Sequence, residues 1–338
     1  FPEETPLPVI LSLTPHSLTM LSRVIRSLFT ATACLLLVHC SHSLAVPDSV
    51  RLEKNTLHSF DGDQLPFTKW LPKSEPELVV IGVHGISGAA SDYRPLADHL
   101  LSDLPGTAVY AAETRGQGND PVKERRGHIR HRSEWFRDLY SFTRLIRIKH
   151  PKAKIVWCGE SMGSLIVLQA YAATDDPKSR CDALILSSPI VDIRGDFPAW
   201  KEKAAHVLAA ILPMYRVSLE SLSEKDEVAV IKDGTHQEQA TKNSYHIKRH
   251  TLRLLSTLGD MIRKSNQAAQ SIEIPLLFLH GGKDVFSDPK DVESFASQLP
   301  HPEKATRIYY PESYHLLFFD HESDRVIADI TKWLKKLP

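Results

Sequence analysis

Six short apolar runs divide this chain: ELVVIGV (77–83), TAVYAA (107–112), KIVWC (154–158), DALILSS (182–188), IPLLFLH (274–280) and TRIYY (306–310). Continuous apolar runs of that length suit strands covered on both faces. Helical periods lie between them. One starts at Ser91 and sets Tyr93, Leu96, Ala97, Leu100 and Leu101 on one side before Pro105-Gly106 stops it. Another starts at Ser133, a good N-cap residue, and lines up Trp135, Leu139, Phe142 and Ile146. The last puts Val326, Ile327, Ile330, Trp333, Leu334 and Leu337 on a single face. Strands alternating with helices predict an α/β fold, a mostly parallel sheet with helices on both faces. Ahead of it, VRLEKNTLHSF and QLPFTKWL flank Asp61-Gly62, which reads as a hairpin turn. Between Ser188 and Ile272 no clear strand is legible, and WKEKAAHVLAAILPMY and SYHIKRHTLRLLSTLGDMI read as amphipathic helices. That interval is too long for a loop and predicts a helical insertion at about 190–271.

The N-terminal region reads differently. Residues 1–19 carry four prolines and no periodicity, and are taken as sequence upstream of a start at Met20. From there Arg23 and Arg26, an apolar run over 28–38 and small residues at Ser43-Leu44-Ala45 form an export-signal pattern over 20–45. The run is short of the ~20 residues a bilayer needs. Cys40 raises a lipoprotein alternative, but His39 stands where a lipobox carries Gly, Ala or Ser. The expected folded domain is therefore 46–338, exported. Lysines plus arginines equal aspartates plus glutamates at 41 each, which argues against a generic nucleic-acid surface. Cys158 ends one strand run and Cys181 precedes the next, so in neighbouring parallel strands they fall about 15 Å apart at about 3.3 Å per residue. No disulfide is expected between them.

Within 154–166, KIVWCGESMGSLI, one serine stands between two glycines where a strand hands over to a helix. Gly159-Glu160-Ser161-Met162-Gly163 fits the G-x-S-x-G nucleophile elbow, in which a tight turn holds the hydroxyl proud of the sheet edge at a helix N-terminus. A serine hydroxyl is a weak nucleophile without a base. Elbows of this kind draw an acid and then a histidine from the carboxyl ends of later strands. After the run 274–280 the first carboxylate is Asp284; Asp288 and Asp291 lie further on and read as caps. After the last run comes His315, whereas His301 precedes that run and His321 lies deeper. The segment His84-Gly85-Ile86 follows directly on the run ELVVIGV, so the amides of Ile86 and Met162 are expected to form an oxyanion hole. GVHGISG is not a dinucleotide fingerprint, because its glycines are spaced G-x-x-G-x-x-G.

Taken together, the order Ser161, Asp284, His315, the His84-Gly85 segment and the helical insertion resemble the α/β-hydrolase superfamily. HGISGAASDYRPLADHL resembles the oxyanion segment of its monoacylglycerol lipase, lysophospholipase and serine-aminopeptidase-like branch. ETRGQGND (113–120) is similar to that branch's acidic-x-x-Gly-His-Gly turn, with Gln117 where histidine is usual. The resemblance implies a helical cap that accepts an acyl chain, a small acyl-ester substrate, peripheral membrane contact through the cap, and no cofactor. It also implies an acyl-enzyme on Ser161, with His315 as base and Asp284 holding the imidazole. A peptidase or amidase using the same triad, or a silent hydrolase-like binding protein, are the alternatives. Pairs His128/His131 and His246/His250 could share helix faces, but no carboxylate or cysteine completes a metal set and exposed histidines explain them. Glu160 is taken as a variable elbow position and Cys158 as a small buried hydrophobe.

Overall fold

The apolar runs become strands close to their expected bounds. The computed structural model describes residues 49–192, 206–218, 229–235 and 244–337. The residues read as an export signal, Cys40, those read as lying upstream of a start at Met20, and parts of the insertion fall outside the described residues. Strands β1 (Arg51–Glu53), β2 (Thr56–His58) and β3 (Gln64–Trp70) open the chain. They are followed by β4 (Leu78–Val83), β5 (Thr107–Ala112), β6 (Lys154–Glu160) and β7 (Ala183–Ser187). Within the insertion lie β8 (Arg216–Val217), β9 (Ala229–Ile231), β10 (Gly234–Thr235) and β11 (His250–Thr251); β12 (Leu276–Gly281) and β13 (Ala305–Tyr310) complete the set. Nine of them form one sheet in the order β1-β2-β3-β5-β4-β6-β7-β12-β13, parallel from β5 to β13.

Alternate residues of each central strand serve opposite faces. On β4 Val79, Ile81 and Val83 join one core layer and Val80 the other; on β6 Ile155 and Trp157 oppose Val156 and Cys158. Helices α1 (Arg94–Asp103) and α7 (Ser323–Leu334) cover one face; α2 (Ser133–Lys149) and α3 (Met162–Ala172) cover the other. Helix α3 is apolar on all sides because it is buried over nearly its whole length. The insertion contributes α4 (Leu252–Arg263), then α5 (Ser265–Ala269); α6 (Pro289–Ser297) precedes β13. The family of folds read from the sequence, an α/β-hydrolase sheet, is the one observed.

Several expectations are corrected. VRLEKNTLHSF is itself a hairpin, turning at Lys54 with φ 52°, so Asp61-Gly62 joins β2 to β3. The helix expected from Ser91 begins with a 3-10 turn at Ala90–Tyr93 and becomes α-helical only at Arg94. Ser133 is the first residue of α2, and Arg132 occupies the cap position. The insertion is not purely helical: short pairs β8–β11 and β9–β10 lie within it, each strand too short to leave a periodicity. His128, His131, His246 and His250 fall outside helices, and His250 is fully buried rather than exposed. Strand β13 is an edge, exposed along much of its length. Cys158 and Cys181 are buried free thiols.

Candidate active site

Ser161 sits between β6 and α3 with φ 51° and ψ −116°, a conformation side chains rarely adopt. Such backbone costs about 1–3 kcal/mol and persists only where its surroundings enforce it. Here the enforcement is visible. The Ser161 amide donates to the Ser187 carbonyl at 2.9 Å. The Ser164 hydroxyl is 2.8 Å from the Gly159 carbonyl and 2.9 Å from that of Ser187. The glycines answer a steric need: a Cβ on Gly163 would stand 1.8 Å from the Val83 carbonyl oxygen, and one on Gly159 would stand 2.5 Å from Gly163.

Parallel pairing brings the partners to the same rim. His280 and Gly281 of β12 stand beside Tyr309 and Tyr310 of β13, so the loops leaving both strands run together. Asp284 and His315 ride on those loops, tied by Lys283 N–H to the Ser313 carbonyl at 2.9 Å and Gly282 N–H to the Tyr310 carbonyl at 2.8 Å. His315 Nδ1 lies 2.8 Å from Asp284 Oδ2, and its Nε2 lies 2.8 Å from Ser161 Oγ. A carboxylate only accepts, so Nδ1 carries the proton and Nε2 is left to accept from the serine hydroxyl. All three side chains are buried. Burial raises the Asp284 carboxyl, but His315 and the Phe286 amide, which donates to Oδ1 at 2.9 Å, outweigh it and hold it below the ordinary aspartate value. The Phe286 ring and the imidazole pack in a T-shaped pair, centroids 4.7 Å apart. Asp288 caps α6, and His321 bonds Asp320; neither reaches the serine's partners.

The oxyanion segment is wired from beneath. His84 is fully buried; its Nδ1–H donates to the Gly85 carbonyl at 3.0 Å and its Nε2 accepts from the Thr114 amide at 3.0 Å. Ser87, at φ 57°, gives its amide to Gln117 Oε1 at 2.9 Å. Its hydroxyl donates to the Ile247 carbonyl at 3.2 Å. Gln117, the departure noted in ETRGQGND, thus orients the peptide that follows Ile86. Arg115 of the same turn is buried and held by Asp138, Asp61 and Asp63, so the Asp61-Gly62 turn supplies counter-ions as well as a reversal. Ile86 and Met162 both line the cavity above Ser161, and Met162, at the first position of α3, has no intrahelical partner for its amide.

That cavity measures about 640 Å³. Leu165, Leu255, Leu258, Ile262 and Phe286 give it an apolar wall; Ser91, Asp92 and Glu160 give it a polar one. Glu160, taken from the sequence as a variable elbow position, is buried here, and Asp92, which the sequence left unassigned, is half-buried. Among the described residues no group of three His, Cys, Asp or Glu side chains is placed to hold a metal.

A family model described as serine aminopeptidase, S33, matches residues 74–322. The chain belongs to this hydrolase family. Similar relatives include the monoacylglycerol lipase of Mycolicibacterium smegmatis, 28% identical over 287 residues, covering 82% of this chain and 96% of the relative. The monoglyceride lipase of Saccharomyces cerevisiae is 24% identical over 298 residues, covering 82% and 92%. Among solved structures, a soluble variant of the yeast enzyme superposes with a TM-score of 0.71 at 21% identity, over 88% of this chain and 99% of that one. The Paleococcus ferrophilus monoacylglycerol lipase gives 0.67 at 23% identity, over 80% and 98%. These likenesses place the chain among α/β-hydrolases and make it a hydrolase.

Proposed function

We propose that this hydrolase cleaves carboxylic esters of lipid-like alcohols, monoacylglycerols among them, through an acyl-enzyme on Ser161. The observation that carries the reading is Ser161 Oγ, 2.8 Å from an imidazole oriented by Asp284, at the base of a largely apolar cavity. A cavity of about 300–1,000 Å³ suits a small-molecule ligand. In the proposed reaction Oγ attacks the ester carbonyl as its proton passes to His315 Nε2. Asp284 stabilises the resulting imidazolium. The Ile86 and Met162 amides receive the negative oxygen, each such donor contributing typically about 2.7–4 kcal/mol. The leaving alcohol takes the proton from Nε2, and water then frees the acyl group by the same route in reverse. The lipase names of the Mycolicibacterium and yeast relatives support a lipid ester. The experiment is fluorophosphonate labelling with intact-mass analysis, followed by ester and aminoacyl-amide panels. One adduct on Ser161 and faster ester turnover are expected. Absence of an adduct overturns the reading, and preference for the amide transfers it to a peptidase.

The same proposal includes contact with a membrane surface through the cap. Val207, Leu208, Ile211, Leu212, Met214 and Tyr215 are all exposed there, Ile211 by 69%. The proposed contact is peripheral, through these side chains; no helix among the described residues is long and apolar enough to cross a membrane. Export is also part of it, supported by the 20–45 pattern; sequencing the N-terminus of protein recovered from its host should find cleavage after Ala45.

A further inference from the structure

Buried carboxylates in this protein are, as a rule, answered. Asp138 faces Arg115 and Ser59, Asp120 faces Arg125, and Glu113 accepts from the amides of Ala90 and Asn119. Glu160 departs from that rule. It is 3% exposed, borders the cavity beside Ser161, and its Oε1 has no hydrogen-bond partner. On the same wall stands Asp92, whose Oδ2 accepts from the Ala89 amide at 2.8 Å. Among the described residues no lysine or arginine borders the cavity. Two carboxyl groups, Glu160 buried and Asp92 half-buried, therefore share one wall that no lysine or arginine among the described residues faces.

His84 and Glu113 lie behind Asp92, and Tyr93 and Cys158 flank Glu160. His315 and His246 border the cavity from the other side. Burial, then the charge on Asp92, pushes the Glu160 carboxyl up to about 8. Two such groups titrate as a pair, one proton being kept where both would otherwise ionise. A neutral hydroxyl brought to this wall can accept from a protonated carboxyl or donate to an ionised one. A phosphate brought there meets like charge in a low-dielectric site.

We infer that Glu160 and Asp92 form a head-group subsite that admits uncharged, hydroxyl-bearing alcohols and rejects phosphate-bearing ones. The substrate is then a neutral monoester of a polyol rather than a lysophospholipid with an acidic head. This rests on the ester-hydrolase reading of the same site and narrows it.

The test compares kcat/KM for a 1-monoacylglycerol and for its 3-phosphate with the same acyl chain, both in neutral detergent micelles at pH 8, where histidine is ordinarily neutral. Wild type is expected to favour the uncharged ester by about tenfold or more, the effect of one unfavourable charge contact. Asp92→Asn with Glu160→Gln keeps shape and hydrogen-bonding capacity while removing the charge, and should narrow the ratio about fivefold or more by raising turnover of the phosphate ester. Each single variant should narrow it part of the way. A wild-type ratio near one overturns the inference whatever the variants do, and so does a double variant with the wild-type ratio. Fluorophosphonate labelling separates the two levels. Labelled, ester-cleaving enzyme with no charge preference defeats the subsite alone, whereas unlabelled, inactive wild type removes the ester reading and the subsite with it.

Discussion

The amide of Ser161 is bonded to the carbonyl of Ser187, the last residue of the neighbouring strand, at 2.9 Å. A residue with φ 51° is thereby held by a different strand from the one it follows. Ser161→Ala should reduce turnover by up to about 10⁶-fold, as loss of a triad serine can. It should keep the backbone strain, whereas Ser161→Gly relieves it. Thermal melts should therefore show the glycine variant about 1 kcal/mol more stable than the alanine variant.

Gly163→Ala should not yield stable protein, since its Cβ would be driven to 1.8 Å from the Val83 carbonyl. A loss of about 4 kcal/mol or more is expected in denaturant unfolding, if soluble protein is recovered at all. Gly259→Ala is the contrast. Its Cβ would meet nothing nearer than Arg263 at 3.8 Å, and a mid-helix glycine replaced by alanine should gain about 1 kcal/mol.

Gln117→Ala should lower kcat about tenfold or more with little change in KM. It leaves the buried Ser87 amide without its acceptor, a cost of about 1–3 kcal/mol, and frees the peptide after Ile86 to turn. Steady-state kinetics on a soluble ester, with the melting temperature as control, separate loss of positioning from loss of fold.

Two carboxyl groups should bend the pH–stability curve in opposite directions. The Asp284 carboxyl lies below its ordinary value, so its contribution is present above about pH 4 and is lost as pH falls through the lower folded value. The Glu160 carboxyl rises from 4.5 to about 8, so the folded state holds a proton that the unfolded state gives up. Its contribution is complete below about pH 4 and is lost as pH rises through about 8. Melting temperatures of Asp284→Asn should lose the acid-side slope; those of Glu160→Gln should lose the alkaline one.

Replacing Leu208, Ile211 and Leu212 with serine should weaken sedimentation with neutral vesicles and leave hydrolysis of a water-soluble ester within about twofold, because each removes exposed apolar surface. Equal vesicle binding by the variant would remove the cap from the membrane proposal.

The parts of this protein that could be read from its residues are those with a period or a position. The central strands were legible because burial on both faces leaves nothing polar in them, as in LVVIGV of β4. The order of Ser161, Asp284 and His315 was legible because each follows a strand. What was not legible depends on packing between distant segments. Strands β8 to β11 have two or three residues, too few to alternate. Ser133 is a favoured cap residue, yet the helix begins one position earlier than its side chain could use. Glu160 looked interchangeable in the elbow, and only the fold shows its carboxyl enclosed beside Asp92. Gln117 did leave a signal, as a departure from the expected histidine, without disclosing the amide it holds.

Of the bonds by which the inserted segment grips the surrounding molecule, two stand beside the site. The Val230 carbonyl of β9 accepts from Leu316, the residue after His315, at 2.9 Å, and the Ile247 carbonyl accepts from Ser87 at 3.2 Å. Exchanging this lid for that of a relative would therefore detune both rims of the pocket at once, even where the graft folds. Diversification along this lineage is easier by altering single wall residues on a frame kept whole than by trading the roof.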